Sequence, residues 1–254
     1  MVFKIEHFQS DGLRIAFIDE GDGEPILLVH GFASNHTVNW VSTGWIDTLK
    51  RAGRRAVAFD NRGHGGSDKP HDPGAYRPAS MARDAANLMD QLGITRADVM
   101  GYSMGARIAA FLAHDRPERV RAAILGGLGM ALVDGMRGED QIVAALEAPS
   151  LEAVNDESAR GYRIFAERTG GDLKALAACM RGSGETLAPA ELERIRAPVL
   201  VAVGANDRVA GSAEGLARLV QGAEALEIPD RDHMQTTGDK VFKQGALNFL
   251  ARRS

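Results

Sequence analysis

Apolar positions along this chain follow two rhythms, and the alternation between them organises it. Ile26-Leu27-Leu28-Val29 is an unbroken apolar run between the turn Gly21-Asp22-Gly23-Glu24-Pro25 and the small-residue break His30-Gly31-Phe32-Ala33-Ser34. Such a run suits a strand buried on both faces. Arg55 to Phe59, the run ending in Val99-Met100, Val120 to Leu125, Pro198 to Val203 and Ala223 to Ile228 are further strand candidates. Ahead of them, Val2 to Phe8 and Leu13 to Ile18 alternate loosely about Ser10-Asp11-Gly12, which predicts an antiparallel hairpin. Between the runs lie helical segments. Val41 to Arg51 places Trp45, Ile46 and Leu49 on one face, and Met81 to Leu92 has Ser80 as its expected N-cap and Asp84 near its first turn. Ala106 to His114, Ala213 to Val220 and Lys240 to Arg252 complete the set. A hairpin followed by alternating strands and helices predicts an α/β fold, a mostly parallel doubly wound sheet covered on both faces.

The alternation stops over residues 126–197, where only helical patterns occur: Gly138 to Glu147, Leu151 to Arg168 and Asp172 to Met180. The expected organisation is therefore a core of residues 1–125 and 198–254, with 126–197 inserted after the sixth strand over one end of the sheet. Met130, Leu132, Met136, Ile142, Phe165, Leu176 and Met180 lie in this insertion. At helical spacing most of them should pack helices together, leaving one or two methionines to face a pocket.

The chemistry centres on Gly101-Tyr102-Ser103-Met104-Gly105, between the Val99-Met100 strand and the Ala106 helix. Two residues without Cβ let strand and helix approach across a sharp turn, which pushes the Ser103 hydroxyl out at the strand end. A serine hydroxyl needs a base to become a nucleophile. Seven histidines are available, and His233 alone follows the last strand, in Pro229-Asp230-Arg231-Asp232-His233-Met234. Carboxyl ends of parallel strands gather at one edge, so Ser103 and His233 can meet there. His30 and His64 sit in glycine-rich turns where imidazoles hold loop backbone, and His7, His36, His71 and His114 read as structural or surface residues. Asp207, past the strand end in Gly204-Ala205-Asn206-Asp207, is the expected carboxylate orienting His233, whereas Asp230 and Asp232 read as a solvated turn. For the oxyanion of a tetrahedral intermediate, the expected donors are the main-chain N–H groups of Phe32 and Met104.

Taken together, His30-Gly31-Phe32, Asp60-x-x-Gly63-x-Gly65-x-Ser67, the Ser103 pentapeptide, the Asp207 loop and His233 resemble the α/β-hydrolase fold superfamily, in its serine esterase and lipase-like branch. The resemblance covers essentially the whole chain. It implies eight strands, the second antiparallel to the rest, and a helical cap (lid) roofing the site over 126–197. A serine at position 103 sets the chain apart from relatives that use an aspartate nucleophile, which removes dehalogenase and epoxide-hydrolase readings. The Asp207 loop lacks a proline common in relatives, and Met234 stands where many carry a bulkier aromatic.

Composition bounds the rest. Hydrophobic residues make up 44% and charged residues 25%, with a net charge of −4 and both signs interspersed, so neither nucleic acid nor a membrane surface is an expected partner. Cys179 is the single cysteine, which rules out an intrachain disulfide, and the first eleven residues lack a signal-peptide apolar core; a cytoplasmic protein is expected. The expectation is a carboxylic ester hydrolase acting on a small ester-like substrate through an acyl-enzyme, without cofactor or metal. Carbon–carbon bond hydrolysis, lactone opening or perhydrolysis would use the same residues, and a ligand-binding sensor with little turnover could retain the same fold. Nothing in the residue pattern speaks to oligomeric state.

Overall fold

The computed structural model describes residues 3–253. Its strands are β1 (Glu6–Ser10), β2 (Leu13–Glu20), β3 (Glu24–Val29), β4 (Arg54–Phe59), β5 (Ala97–Tyr102), β6 (Val120–Gly126), β7 (Val199–Gly204) and β8 (Glu224–Ile228). They form one eight-stranded sheet in the order β1-β2-β4-β3-β5-β6-β7-β8. Only the pairs β1–β2 and β2–β4 are antiparallel, so β2 alone runs against the others. The α/β-hydrolase topology implied by the sequence is the one observed.

Both faces of the sheet are covered, as the unbroken apolar runs require. In β3, Leu27 and Val29 face one core while Ile26 and Leu28 face the other, the period-2 alternation of a strand buried on both sides. The first core packs against α2 (Pro78–Gln91), α3 (Met104–Asp115) and Leu216 of α8 (Ala213–Leu219). The second packs against α1 (Trp45–Arg51) and α10 (Lys240–Ala251), centred on Trp40, Trp45, Phe242 and Phe249. Between β6 and β7 the chain carries four helices, α4 (Ala131–Asp134), α5 (Glu139–Glu147), α6 (Glu157–Arg168) and α7 (Leu173–Gly182). Helices α5 to α7 build a third apolar cluster that includes Ala33 and touches Phe32. A bond from Thr169 Oγ1 to the Ala33 carbonyl (2.7 Å) ties them to the loop after β3.

Several element boundaries differ from the sequence expectation, each for a local reason. The hairpin pairs Glu6–Ser10 with the following strand, and Val2 lies outside the described residues. Asp11 and Gly12 both take left-handed backbone angles at its two-residue turn. Val41 to Arg51 is not one helix: Thr37–Val41 forms a π-turn closed by Ser42 N–H to Thr37 O (2.8 Å), and Gly44 at φ 76° separates it from α1. Ser80 does not cap α2. Pro78 occupies the first helical position, where its fixed φ suits the helix start, and Ser80 falls inside the first turn. Leu151 to Arg168 is divided by an extended break, after which the Asp156 side chain caps α6. Helices α4 and α9 (His233–Thr236) are four residues each, too short for a periodic pattern to reveal.

Candidate active site

Ser103 sits between β5 and α3 at φ 55°, ψ −116°, a backbone conformation that costs a non-glycine residue energy. The surroundings enforce it. A Cβ on Gly101 would lie 2.1 Å from Gly105 O, and one on Gly105 would lie 2.0 Å from Val29 O, so only glycines permit this crossing. The Ser103 N–H bonds to Gly126 O at 2.8 Å, anchoring the turn to β6.

From this turn a continuous hydrogen-bonded chain runs inward. His233 Nε2 lies 2.9 Å from Ser103 Oγ, and His233 Nδ1 lies 2.7 Å from Asp207 Oδ2. The second carboxylate oxygen of Asp207 accepts the N–H groups of Val209 (2.8 Å) and Ala210 (3.0 Å). Burial pushes the Asp207 pKa upward, but the bond from His233, its charge and the two amides outweigh that and hold the carboxyl below its ordinary range. With Asp207 ionised, His233 carries its proton on Nδ1 and presents Nε2 to the serine as an acceptor. Asp230 and Asp232 play no part in this chain. Asp232 caps α9 with a reciprocal capping box, and Asp230 stands exposed at φ 57°. The cap thus fixes the helix whose first residue is His233.

Phe32 and Met104 flank Ser103 in a cavity wall. Met104 is the first residue of α3, so its N–H is one of the helix-start donors without an intrahelical acceptor. The loop carrying Phe32 is held from behind by buried side chains. His30 Nδ1 donates to Gly31 O (2.8 Å), its Nε2 accepts from Asn61 N–H (2.9 Å), and Asn39 Oδ1 accepts from Gly31 N–H (3.0 Å). His64 packs edge-on against both His30 and Phe32, and its Nδ1 donates to Arg62 O. Burial lowers the His30 pKa to about 4 and that of His64 to about 3, so both are neutral supports. His36 has a partner that its sequence context did not disclose. Its Nδ1 and main-chain N–H both reach Asp60, which also accepts from Gly66 N–H.

Two cavities open from Ser103, both bordered by Phe32, Tyr162 and Val209. The larger, about 380 Å³, is lined by Val38, Phe165, Met234 and His233 among others. The smaller, about 50 Å³, is lined by Met104, Arg107, Leu128, Met136, Glu139 and Met180. Of the apolar residues noted in the inserted helices, Phe165, Met136 and Met180 therefore face cavities. Leu132, Ile142 and Leu176 are buried in packing, and Met130 leans on the main core. The sequence marks neither Tyr102 nor Tyr162 as a wall of the site. The first is an unconstrained position of the serine motif, and the second lies on a helix whose cavity-facing side no pattern marks.

Comparison with known proteins accords with this geometry. The family model described as alpha/beta hydrolase fold matches residues 24–145, which span β3 through the serine turn into α5. An esterase from Exiguobacterium antarcticum superimposes with a TM-score of 0.81 over 96% of this chain and 98% of its own, at 20% identity, a likeness of fold. The chain has the α/β-hydrolase fold, and the family model covers just under half of it. Among curated relatives, it is 34% identical over 163 residues to epoxide hydrolase 2 of Siraitia grosvenorii, covering 58% of this chain and 50% of that protein. It is 36% identical over 116 residues to 2-hydroxymuconate semialdehyde hydrolase of Pseudomonas putida, covering 46% of this chain and 40% of that one. The chain thus spans about half the length of these curated relatives or less. No helix among the described residues is long and apolar enough to cross a membrane.

Proposed function

We propose that this chain is a serine hydrolase of small carboxylic esters. One observation carries the reading: an Oγ–Nε2–Nδ1–carboxylate hydrogen-bonded chain opens into a largely apolar cavity. In this reading Ser103 is the nucleophile, His233 the general base and Asp207 the carboxylate that orients it and stabilises the imidazolium. His233 takes the Ser103 proton as Oγ attacks the carbonyl carbon. The resulting oxyanion lies against the N–H groups of Phe32 and Met104, and each such donor lowers the barrier by about 3 kcal/mol. The tetrahedral intermediate collapses, His233 returns the proton to the departing alkoxide, and an acyl-Ser103 ester remains. Water deprotonated by His233 then attacks that ester and releases the acid. No step calls for a cofactor. Residues 126–197 act as the cap over this site.

Ser103 also separates the proposal from the chemistry named for the epoxide-hydrolase relative, which in this superfamily rests on an aspartate nucleophile. Carbon–carbon hydrolysis is the second reading, supported by the likeness to 2-hydroxymuconate semialdehyde hydrolase. Against it, no Lys or Arg lines the larger cavity to receive an anionic substrate.

Hydrolysis of p-nitrophenyl esters of increasing acyl length, wild type beside Ser103→Ala, tests the proposal. Turnover by wild type that disappears in the variant, with the circular dichroism spectrum unchanged, is the expected result. Full activity in Ser103→Ala would sink the assignment.

A further inference from the structure

The two cavities at Ser103 divide the substrate, and resting on the serine-hydrolase reading above, we infer which part enters which. His233 must place its proton on the leaving oxygen, so the alcohol has to lie on the side that His233 lines. His233 lines the larger cavity and is not among the residues lining the smaller one. The alcohol therefore occupies the 380 Å³ cavity, against Val38, Phe165 and Met234. The acyl substituent points away from His233, past Met104, into the 50 Å³ chamber.

The sizes then define the substrate class. With about 50 Å³ open to the centre of a water-sized sphere, against about 380 Å³ beside it, the smaller chamber favours a short acyl chain over a ring. Its walls resist widening. Arg107 Nη1 donates to Glu185 O (2.7 Å) and Nη2 to Ala131 O (2.9 Å), tying α3 to the inserted segment. On another side, Cys179 Sγ packs 3.6 Å from Met104 Sδ within the buried core. The preferred substrates are accordingly esters of short acids with bulky apolar alcohols, the inserted helices lining both chambers.

A pair of reversed isomers isolates this claim. Benzyl acetate and methyl phenylacetate have the same formula, and each expels a primary alkoxide, but they exchange which side carries the ring. We expect kcat/KM for benzyl acetate to exceed that for methyl phenylacetate by more than about tenfold, the scale on which pocket volume discriminates. Gly161→Phe provides the second arm. Gly161 lines the larger cavity from α6, and a Cβ there meets nothing within 4 Å, so the variant should fold. The ring should cut benzyl acetate turnover about tenfold relative to methyl acetate. Equal or faster cleavage of methyl phenylacetate, or an unchanged ratio in Gly161→Phe, would overturn the assignment of cavities. So would hydrolysis of p-nitrophenyl acetate without hydrolysis of benzyl acetate, while leaving the serine-hydrolase reading intact. Failure on every ester, p-nitrophenyl acetate included, would overturn that reading and this inference together.

Discussion

The Tyr102 phenol donates its proton to the main-chain carbonyl of His233, and the two rings lie 5.5 Å apart at 48°. The residue just before the serine therefore holds the loop bearing its hydrogen-bond partner, across the four α-helices between β6 and β7 and the last two strands. Tyr102→Phe keeps the ring and removes the bond. If the carbonyl stays buried without a donor, the cost is about 1–3 kcal/mol. A lower Tm and a kcat reduced by up to ~100-fold, with KM nearly constant, are expected from the displaced imidazole. Thermal melts and steady-state kinetics check both; wild-type kcat in the variant would show that the bond does not position His233.

Asp207→Asn should separate geometry from charge. An amide oxygen still accepts the Val209 and Ala210 N–H groups, so the loop and its stability persist. The carboxylate that selects the Nδ1–H tautomer is gone, and kcat should fall roughly 10⁴-fold at neutral pH. A variant within tenfold of wild type would show that another carboxylate does this work.

The histidines behind the Phe32 loop should make the protein acid-sensitive. The pKa values of His30 and His64 are lowered by burial to about 4 and about 3, against an ordinary 6.5. Below 6.5 the unfolded chain binds protons that the folded chain refuses, so stability is complete above that pH and declines as it falls towards 4. Each histidine contributes up to about 1.4 kcal/mol per pH unit in that window. Asp60 adds a second loss at lower pH. Burial raises its pKa, but the His36 bond and neighbouring imidazoles bring it to about 2, so its contribution fades between 3.8 and 2. Denaturant midpoints at pH 7.5, 6.0 and 5.0 should drop progressively, and His64→Gln should flatten the slope. A slope identical to wild type in that variant would count against the account.

A buried ion pair beneath the edge of the sheet offers a contrast in energetics. Asp84 accepts Arg62 Nε and Nη2, both at 2.7 Å, and Ser10 Oγ at 2.5 Å, with only 1% of its side chain exposed. Asp84→Ala strands the guanidinium and should cost about 3–5 kcal/mol. Asp11 reaches the same arginine at 3.7 Å but is 41% exposed, and Asp11→Asn, which suits the same left-handed turn, should change stability by less than ~1 kcal/mol. Urea melts of the two variants side by side decide it.

The roles of these two aspartates were not legible before folding. Asp84 reads as an ordinary acid near a helix start, and becomes a core partner because it falls on the buried face of α2 with Met81, Ala85 and Leu88, opposite Arg62. His36 and Tyr102 behave alike, since each meets a group brought from another element by the sheet.

The linear chain determined the layered fold through local physics. Unbroken apolar runs can be buried only between two helical layers, and the Gly-x-Ser-x-Gly turn admits no Cβ on either side, so strand, elbow and helix follow from residues 97–115 alone. It also placed Ser103, Asp207 and His233 at strand ends, which in a parallel sheet share an edge. Their distances, the division of space at Ser103 and the neutral histidines behind Phe32 arose only in three dimensions. Hydrogen bonding, desolvation and cavity volume depend on groups far apart in sequence, and no local pattern encodes how those groups come to face one another.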